Sequence, residues 1–224
     1  MRDVNARVVI LANGECPRQA EAVALFHRAA YLVCCDGACA KARALGREPD
    51  LVVGDGDSLS SAEKAALGAR LVVIAEQETN DLAKAFRTAV ARYGAEGLVI
   101  LGADGLRDDH FLGNVFRLLE FAHEAPEVAL VTNAGVFTVV VGTRTYACEA
   151  DEAVSVFAPT PQTEVTSTGL VWPLAGVVFD TLWRGTLNRT NATSFTLTAT
   201  SPILVYRPLT CLSVGHNKEC ADVV

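Results

Sequence analysis

The chain has 224 residues, half of them hydrophobic, and can therefore bury a sizeable core as one domain or two. Its 19 basic and 26 acidic residues give a formal charge of −7, and the basic residues are scattered, so we expect no nucleic-acid partner. No apolar run approaches the ~20 residues of a membrane-spanning helix, and the first residues lack the apolar segment of a signal peptide, so we expect a cytoplasmic protein without a membrane partner.

The cysteines indicate a reduced protein. The sequence contains an odd number of them and no Cys-x-x-Cys pair: Cys16, Cys34, Cys35, Cys39, Cys148, Cys211 and Cys220. Cys34, Cys35 and Cys39 lie in or beside an apolar stretch, where a thiol serves as a small apolar side chain. Four ligands at the spacing of a structural zinc site are missing. We therefore predict reduced thiols and no zinc site.

The first part of the chain alternates short apolar runs with helical patterns. Strands are predicted at Val8–Ala12, Tyr31–Cys35, Leu51–Val53, Leu71–Ala75, Leu98–Leu101 and Val128–Thr132, and helices at about 17–29, 37–45, 60–67, 80–93 and 109–123. Pro17 suits a first helical turn, and either Ser58 or Ser60 suits the cap of the third helix. Asn80 suits the cap of the fourth helix. Continuously apolar strands that alternate with helices favour a parallel sheet covered on both faces.

The pattern changes near residue 133, beyond which no helix is predicted. Strand-like runs follow at Val136–Val141, Ala153–Phe157, Thr163–Ser167, Val177–Leu182, Ser194–Thr200 and Ile203–Tyr206, with turn residues between them. Such spacing is typical of an antiparallel sandwich. We therefore predict an α/β N-terminal domain with a parallel Rossmann-like sheet at residues 1–138, followed by an all-β sandwich domain at residues 139–224.

Four short acidic loops in the first part carry the functional signal. They are Cys35–Ala38, Gly54–Ser58, Glu76–Asp81 and Gly102–His110. Each follows a predicted buried strand, so all four should lie at the carboxyl edge of the sheet, where ligands bind. Carboxylates gathered there repel one another unless a cation lies between them. Because Mg²⁺ binds through a few carboxylates, water and substrate phosphates, the loops predict a Mg²⁺–nucleotide phosphate site.

Each loop also has a purely structural interpretation. Asp36-Gly37 could form a plain turn, and Asp55-Gly56-Asp57 could form an Asx turn that caps a helix. Asp81 and Lys84 could form a surface ion pair, and His110 is expected to be packed or hydrogen-bonded rather than a catalytic base. Four such loops on successive strands favour a function over coincidence. The chain has no P-loop, GxGxxG or GxSxG motif, so a phosphate enzyme of another lineage is expected.

Taken in order, these segments resemble the thiamine pyrophosphokinase family over nearly the whole chain. The matching segments are Asp36–Ala38, Pro49–Ser58, Gln77–Lys84, Gly102–Asn114, Gly169–Leu174 and Gly185–Asn191. Their family counterparts read DGG or DGA, PDxxxGDxDS, QDxTDxxK, GxxGGRxDHxxxN, GLKWxL or GLKYPL, and a segment ending in Ser-Asn. The chain departs from these patterns at Glu78, Leu106 and Thr190. These departures leave the carboxylates Asp55, Asp57 and Asp81 in place.

The resemblance implies a two-domain homodimer that moves a pyrophosphoryl group from ATP to the thiamine hydroxyl. The products would be thiamine diphosphate and AMP. The first domain would bind Mg-ATP, and the second would help to form a thiamine site between subunits. Two alternatives stay open, a pyrophosphokinase for another alcohol and a non-catalytic thiamine or nucleotide sensor.

The residues that match the family motifs then take these expected roles. Asp55, Asp57 and Asp81 hold Mg²⁺ and form the catalytic set together with Asp109. ATP is contacted by Asp36, Gln77, Thr79, Lys84, Arg107 and Asn114, and thiamine by Asn188, Thr190 and Asn191. Trp172 is expected in the core of the sandwich rather than stacked on a thiamine ring.

Overall fold

The structure is a computed structural model that describes residues 4–209, so Cys211 and Cys220 lie outside the described residues. The elements of the first part are β1 (Val8–Leu11), α1 (Ala20–Arg28), β2 (Tyr31–Cys35), α2 (Cys39–Ala44), β3 (Leu51–Gly54), α3 (Ser61–Leu67), β4 (Leu71–Val73), α4 (Asp81–Tyr93), β5 (Leu98–Leu101), α5 (Asp108–Phe121) and β6 (Ala129–Val131). Those of the second part are β7 (Gly135–Val140), β8 (Thr143–Ala147), β9 (Ala153–Phe157), β10 (Thr163–Thr168), β11 (Val177–Phe179), β12 (Gly185–Arg189), β13 (Ser194–Ala199) and β14 (Ile203–Pro208). Within residues 4–209, no helix has the length and apolar character that a membrane crossing requires.

Six parallel strands form the first part of the main sheet, in the order β4-β3-β2-β1-β5-β6. Val9 of β1 pairs with Leu32 of β2 on one side and with Val99 of β5 on the other. The chain moves outward from β1 to β4 and then returns to the opposite side of β1 with β5. This reversal of direction opens a crevice at the carboxyl ends of β1 and β5, where ligands of such sheets bind.

Helix α4 brings its N-terminus to the same edge of the sheet. The helix packs against β1, β2 and β3 and buries Leu82, Phe86 and Ala89. Phe86 stacks on Phe121 of α5, with 3.9 Å between the ring centroids. Burial of one such ring contributes about 1.5–3 kcal/mol, so the position of the helix is well determined. Its first residue, Asp81, is thereby held beside the loops that follow β2 and β3.

The sheet continues without a break into the second part of the chain. β7 pairs antiparallel with β6, and the sheet extends through β14 and β9 to β12, for ten strands in total within residues 4–209. A four-stranded antiparallel sheet, β11-β10-β13-β8, encloses a second core that contains Tyr146, Val156, Phe179 and Phe195. The predicted fold class, α/β first and antiparallel sandwich second, is confirmed.

The predicted helix starts are confirmed for α3 and α4 and wrong for α1. Of the two candidates for the cap of α3, Ser60 is the residue that caps it, in a capping box with Glu63. Asn80 caps α4, since its side chain accepts a hydrogen bond from the amide of Ala83. Pro17 does not start the first helix, which begins three residues later at Ala20.

The remaining differences also have local causes. The segment before α1 is tied elsewhere, because the amide of Arg18 donates to Asn133 Oδ1 at 2.7 Å. β4 is shorter than predicted and partly exposed, since it is the edge strand of the sheet. β8 and β12 are not predicted, because Thr, Arg and Asn interrupt their apolar signal. The cysteines within residues 4–209 form no disulfide bond.

Candidate nucleotide and metal site

Asp36 links the loops that follow β2 and β3. It starts a 3₁₀ turn directly after β2 and is buried. Its Oδ1 accepts a hydrogen bond from the amide of Gly37 at 2.6 Å, and its Oδ2 accepts one from the amide of Gly56 at 3.0 Å. A Cβ at Gly54 would lie 2.7 Å from the Asp36 carboxyl carbon, so only glycine leaves room for this contact. The plain-turn interpretation of Asp36-Gly37 is therefore incomplete, because the carboxylate joins two strand ends.

Asp55 and Asp57 form the predicted tight turn, and the turn exposes Asp57 at the strand edge. Asp55 Oδ1 accepts a hydrogen bond from the amide of Asp57 at 3.1 Å, while Gly56 between them has a φ of +83°. Gln77 Nε2 donates to Asp55 Oδ2 at 3.3 Å from the neighbouring loop. The hydrogen bond from Asp57 is the main reason that the pKa of Asp55 lies below its ordinary value, and Gln77 adds to it. The turn and the functional interpretation are thus compatible.

Asp81 is the fourth carboxylate of this edge, after Asp36, Asp55 and Asp57. Its pKa is raised, first by burial and next by the charge of Asp36, with a further contribution from Asp55. Lys84, one helical turn later, opposes this shift with its Nζ 3.5 Å from Asp81 Oδ1. Only 3% of the Lys84 side chain is exposed, so the pair is not the surface ion pair of the structural interpretation. The charges of Asp36 and Asp55 act on Asp81, so the loops after β2 and β3 and the start of α4 bring their carboxylates into one acidic group.

This acidic group fits a magnesium–nucleotide complex better than a metal bound by protein alone. Among residues 4–209, no three Asp, Glu, His or Cys side chains are assembled closely enough to hold a metal by themselves. Mg²⁺ commonly uses one or two carboxylates and completes its shell with water and substrate phosphates. The donors here are carboxylate oxygens that repel one another, which is the chemistry a hard cation relieves.

A cleft of about 390 Å³ lies at the crevice between β1 and β5. Its walls come from the loops after β1, β2 and β5 and from the first turns of α4 and α5, and they include the predicted residues Asp81, Arg107 and Asn114. They also include Asn13, Gly14 and Asp104, which carried no predicted role. The Asn-Gly dipeptide directly after β1 was the signal that could have located the first two.

The β1 loop fits this cleft only because residue 14 is glycine. A Cβ at Gly14 would lie 2.3 Å from the carbonyl oxygen of Asp104. The amide of Gly14 donates to the carbonyl of Gly102 at 2.6 Å. Lys41 Nζ donates to the carbonyl oxygens of Asn13 and Gly14, at 2.8 and 2.6 Å. The floor of the cleft is therefore a pair of backbone loops in direct contact.

Arg107 and Asp109 form a forked ion pair at the start of α5. Arg107 Nε lies 3.0 Å from Asp109 Oδ1, and Nη2 lies 2.6 Å from Oδ2. The hydrogen bonds from Arg107 lower the pKa of Asp109 to about 2. Both side chains are well exposed, so the guanidinium can also reach a ligand in the cleft. His110 is exposed on the cleft wall, which excludes the packed alternative of the prediction and leaves the hydrogen-bonded one as a prediction.

The other residues predicted to contact ATP divide into two groups. Asn114 connects two walls of the cleft, because its Oδ1 accepts from Asn80 at 3.2 Å and its Nδ2 donates to the carbonyl of Ala103 at 3.2 Å. Thr79 lies outside the cleft lining, and its amide donates to Glu76 Oε2 at 3.0 Å. The structure therefore places Asn114 in the cleft and Thr79 in the turn that precedes α4.

The residues predicted to contact thiamine lie in the second part of the chain and are bonded within it. Asn188 is buried, accepts from the amide of Trp172 at 3.2 Å and donates to its carbonyl at 2.7 Å. Thr190 is buried, and its hydroxyl accepts from the amide of Glu152 at 2.9 Å. Asn191 is exposed and donates to the carbonyl of Leu170 at 3.1 Å. The segment thus shapes the backbone beside an open groove.

Trp172 is not a core residue, so that prediction is wrong. Leu170 and Leu174 turn inward and are buried, which leaves Trp172 between them 57% exposed. It lines a groove of about 320 Å³ together with Leu187 and Asn188. Leu187 has a φ of +59° at an irregularity in β12, and 84% of it is exposed. The groove therefore offers apolar and aromatic surface at the far edge of the sheet.

The groove and the acidic group lie at opposite ends of one sheet. β12 and β3 are separated by eight strand spacings, which is about 38 Å measured along the sheet. A small molecule that touches the groove of one chain therefore does not reach the carboxylates of that same chain along the sheet.

Two family models match the chain. The catalytic domain of thiamin pyrophosphokinase matches residues 22–130, and its substrate-binding domain matches residues 135–206. Comparison with curated proteins finds no match.

Solved structures share the fold. A thiamin pyrophosphokinase family protein from Enterococcus faecalis has a TM-score of 0.78 and 21% identity, over 92% of this chain and 100% of that chain. The thiamin pyrophosphokinase from Candida albicans has a TM-score of 0.76 and 15% identity, over 92% and 89%. The one from Geobacillus thermodenitrificans has a TM-score of 0.71 and 25% identity, over 92% and 99%.

Proposed function

The chain belongs to the thiamin pyrophosphokinase family, and from this premise we propose how its residues divide the reaction. The activity is that of a thiamine diphosphokinase, which uses ATP and thiamine. The thiamine hydroxyl oxygen gives up its proton to solvent and bonds to the β-phosphorus of ATP, the bond from that phosphorus to the α,β-bridging oxygen breaks, and AMP leaves. The observation that carries this function is the joint match of both domain models along one chain.

Asp55, Asp57 and Asp81 are proposed to hold Mg²⁺, directly or through water. When bound, the ion neutralises charge on the ATP oxygens around the transferred group. Burial, and then the charges of Asp36 and Asp55, raise the pKa of Asp81, and the relief that a cation would give to this repulsion supports the assignment. Asp36 fixes the turn between Asp55 and Asp57 through the amide of Gly56, and Gln77 orients Asp55.

Lys84 and Arg107 are proposed to bind the phosphates from two sides. Lys84 acts as a point charge beside Asp81, and Arg107 presents a fork that matches phosphate oxygens. Asp109 is strongly ionised and paired, so it is a weak base and serves to orient Arg107. Phosphoryl-type transfer depends mainly on such positioning and on electrostatic stabilisation.

Thiamine is proposed to bind in the groove of the second domain, and the active unit is proposed to be a cytoplasmic homodimer. Trp172 and Leu187 offer apolar surface to its rings, while Asn188, Thr190 and Asn191 shape the polar side. The separation of about 38 Å along the sheet between this groove and the acidic group supports a site completed by a second copy. The cysteines within residues 4–209 are free thiols, which suit a reducing compartment.

The test is product analysis with purified protein, ATP, thiamine and Mg²⁺. We expect AMP and thiamine diphosphate in equal amounts and none of either after removal of the divalent metal. ADP with thiamine monophosphate would contradict pyrophosphoryl transfer. Binding of thiamine without turnover would indicate a sensor, and turnover of a different alcohol in a substrate panel would replace thiamine as the acceptor.

A further inference from the structure

The loop between β5 and α5 carries two cleft residues that no role above uses, Asp104 and Leu106. Asp104 is partly buried, whereas 71% of Leu106 is exposed in the cleft wall. The loop is held in place by the β1 loop, because the amide of Glu15 donates to the carbonyl of Asp104 at 2.7 Å. Gly105, between Asp104 and Leu106, has a φ of +83° and lies close to the Glu15 side chain. An apolar side chain fixed in this exposed position offers a contact surface to a ligand.

Asp104 lies apart from the acidic group proposed to hold the metal. β5 and β3 are separated by three strand spacings, which is about 14 Å. The charges that act most strongly on Asp104 are those of Glu15 and Arg18, whereas those on Asp81 are Asp36, Lys84 and Asp55. The cleft therefore has one end at Cys35 and Asp81, where β2 ends and α4 begins, and a separate end at the β5 loop. An extended nucleoside triphosphate has about the length needed to span both ends.

The chemistry of the β5 end suits the uncharged part of the nucleotide. A carboxylate repels phosphate oxygens but accepts hydrogen bonds from hydroxyl groups. An acidic side chain that binds ribose hydroxyls is a recurring feature of nucleotide sites at the switch point of parallel sheets. Leu106 beside it offers an apolar surface on which a purine ring can pack.

We propose that Asp104 and Leu106 form the nucleoside subsite of this chain, Asp104 accepting a hydrogen bond from a ribose hydroxyl of ATP and Leu106 covering the base. This inference rests on the proposed use of ATP in this cleft. It assigns Asp104 and Leu106 of the β5–α5 loop to recognition of the nucleoside, and it leaves the phosphates to Lys84 and to Arg107 at the end of that loop.

The test compares Asp104→Ala and Leu106→Gly with the unchanged protein, using calorimetry without thiamine. The titrants are ATP, 2′-deoxy-ATP and 3′-deoxy-ATP with Mg²⁺. We expect removal of one hydroxyl to weaken binding to the unchanged protein about tenfold, the scale of a hydrogen bond to a charged group. Asp104→Ala should weaken ATP binding by a similar factor and lose the discrimination between ATP and that deoxy analogue. Leu106→Gly should weaken all three nucleotides alike.

Inorganic tripolyphosphate with Mg²⁺ separates the two ends of the cleft. Because it has neither ribose nor base, it should bind both variants as tightly as it binds the unchanged protein, or more tightly once the Asp104 charge is removed. Asp108→Asn, at the first residue of α5 and outside the cleft lining, is the matched control and should change nothing. Unaltered discrimination in Asp104→Ala, or weaker tripolyphosphate binding in either variant, would overturn the inference. Since these are binding measurements, absence of AMP formation would count against the proposed reaction and not against the subsite.

Discussion

Lys84 shows how single residues depend on one another at the edge of the sheet. Its ammonium group is almost fully buried, and burial of an unpaired charge costs several kcal/mol. Asp81 lies 3.5 Å away, and the charges of Asp36 and Asp55 act on Asp81. The buried cation therefore compensates part of the repulsion in the acidic group. A bound metal would compensate the rest, which is why the loss of one carboxylate should affect catalysis more than folding.

Asp57→Asn should lower turnover about a hundredfold or more and leave the melting temperature almost unchanged. The amide keeps the shape of the carboxylate but removes charge that a metal–phosphate complex needs. Asp57 is exposed, so the fold depends little on its side chain. Glu78→Gln removes an exposed carboxylate from the neighbouring loop and serves as the control. Near-normal activity of Asp57→Asn at saturating Mg²⁺ would exclude Asp57 from the metal site.

The pair of Arg107 and Asp109 predicts a pH response. The pKa of Asp109 is about 2 in the folded chain and about 3.9 in an unfolded one. Because folding lowers the pKa of Asp109, the pair stabilises the fold at pH values above the pKa of the unfolded chain. This contribution is lost as the pH falls through the pKa of the folded chain. NMR titration of the carboxyl carbon should give a midpoint near 2. Arg107→Gln should raise that midpoint toward 3.9, and an unchanged midpoint would contradict the pair.

At the scale of elements, the sequence predicts those whose signal is local. The continuous apolar runs of β1, β2, β3, β5 and β6 are sufficient to predict a buried parallel sheet. β8 and β12 escape prediction because pairing across strands, rather than an apolar run, defines them. Trp172 escapes because its direction depends on which neighbours face the core. The place of Asn13 in the cleft follows from contact between distant loops, which no local pattern contains.

Helix caps provide a prediction at this scale. Ser60→Ala and Asn80→Ala each remove a side chain that accepts a hydrogen bond at a helix start, and each should cost about 1 kcal/mol of unfolding free energy. Only Asn80 lines the cleft, so only Asn80→Ala should also lower activity. Urea unfolding and steady-state rates, measured on both variants, test this. Equal loss of activity in both would mean that helix stability alone limits turnover.

At the scale of the whole molecule, the continuous sheet explains both what the sequence predicts and what it misses. The change from alternating helices to strands near residue 133 correctly marks where the topology becomes antiparallel. It does not reveal that β7 extends the same sheet, because pairing of β6 with β7 is a tertiary contact. The consequence is functional, since the sheet separates the groove of the second domain from the acidic group of the same chain.

If a second copy completes each active site, mutations on different chains should complement one another. A heterodimer of an Asp57→Asn chain with an Asn191→Ala chain would contain one site with both defects and one intact site. Purified through two different tags and assayed at low thiamine, it should keep about half of the normal activity, because the two sites are related by twofold symmetry. Asn191→Ala alone should raise the KM for thiamine several-fold and leave that for ATP nearly unchanged.

The matched control is a heterodimer of an unchanged chain with a chain that carries both mutations. In a shared-site dimer each of its two sites has one defect, so its activity should be low. If each site lay within one subunit, the results would be reversed, because the unchanged chain would then keep a complete site. The shared site would therefore be disproved if the heterodimer with one mutation on each chain had low activity and the heterodimer with both mutations on one chain kept half of the normal activity. That result would also require thiamine to reach Asp55 and Asp81 within one subunit, although about 38 Å of sheet separates them from the groove.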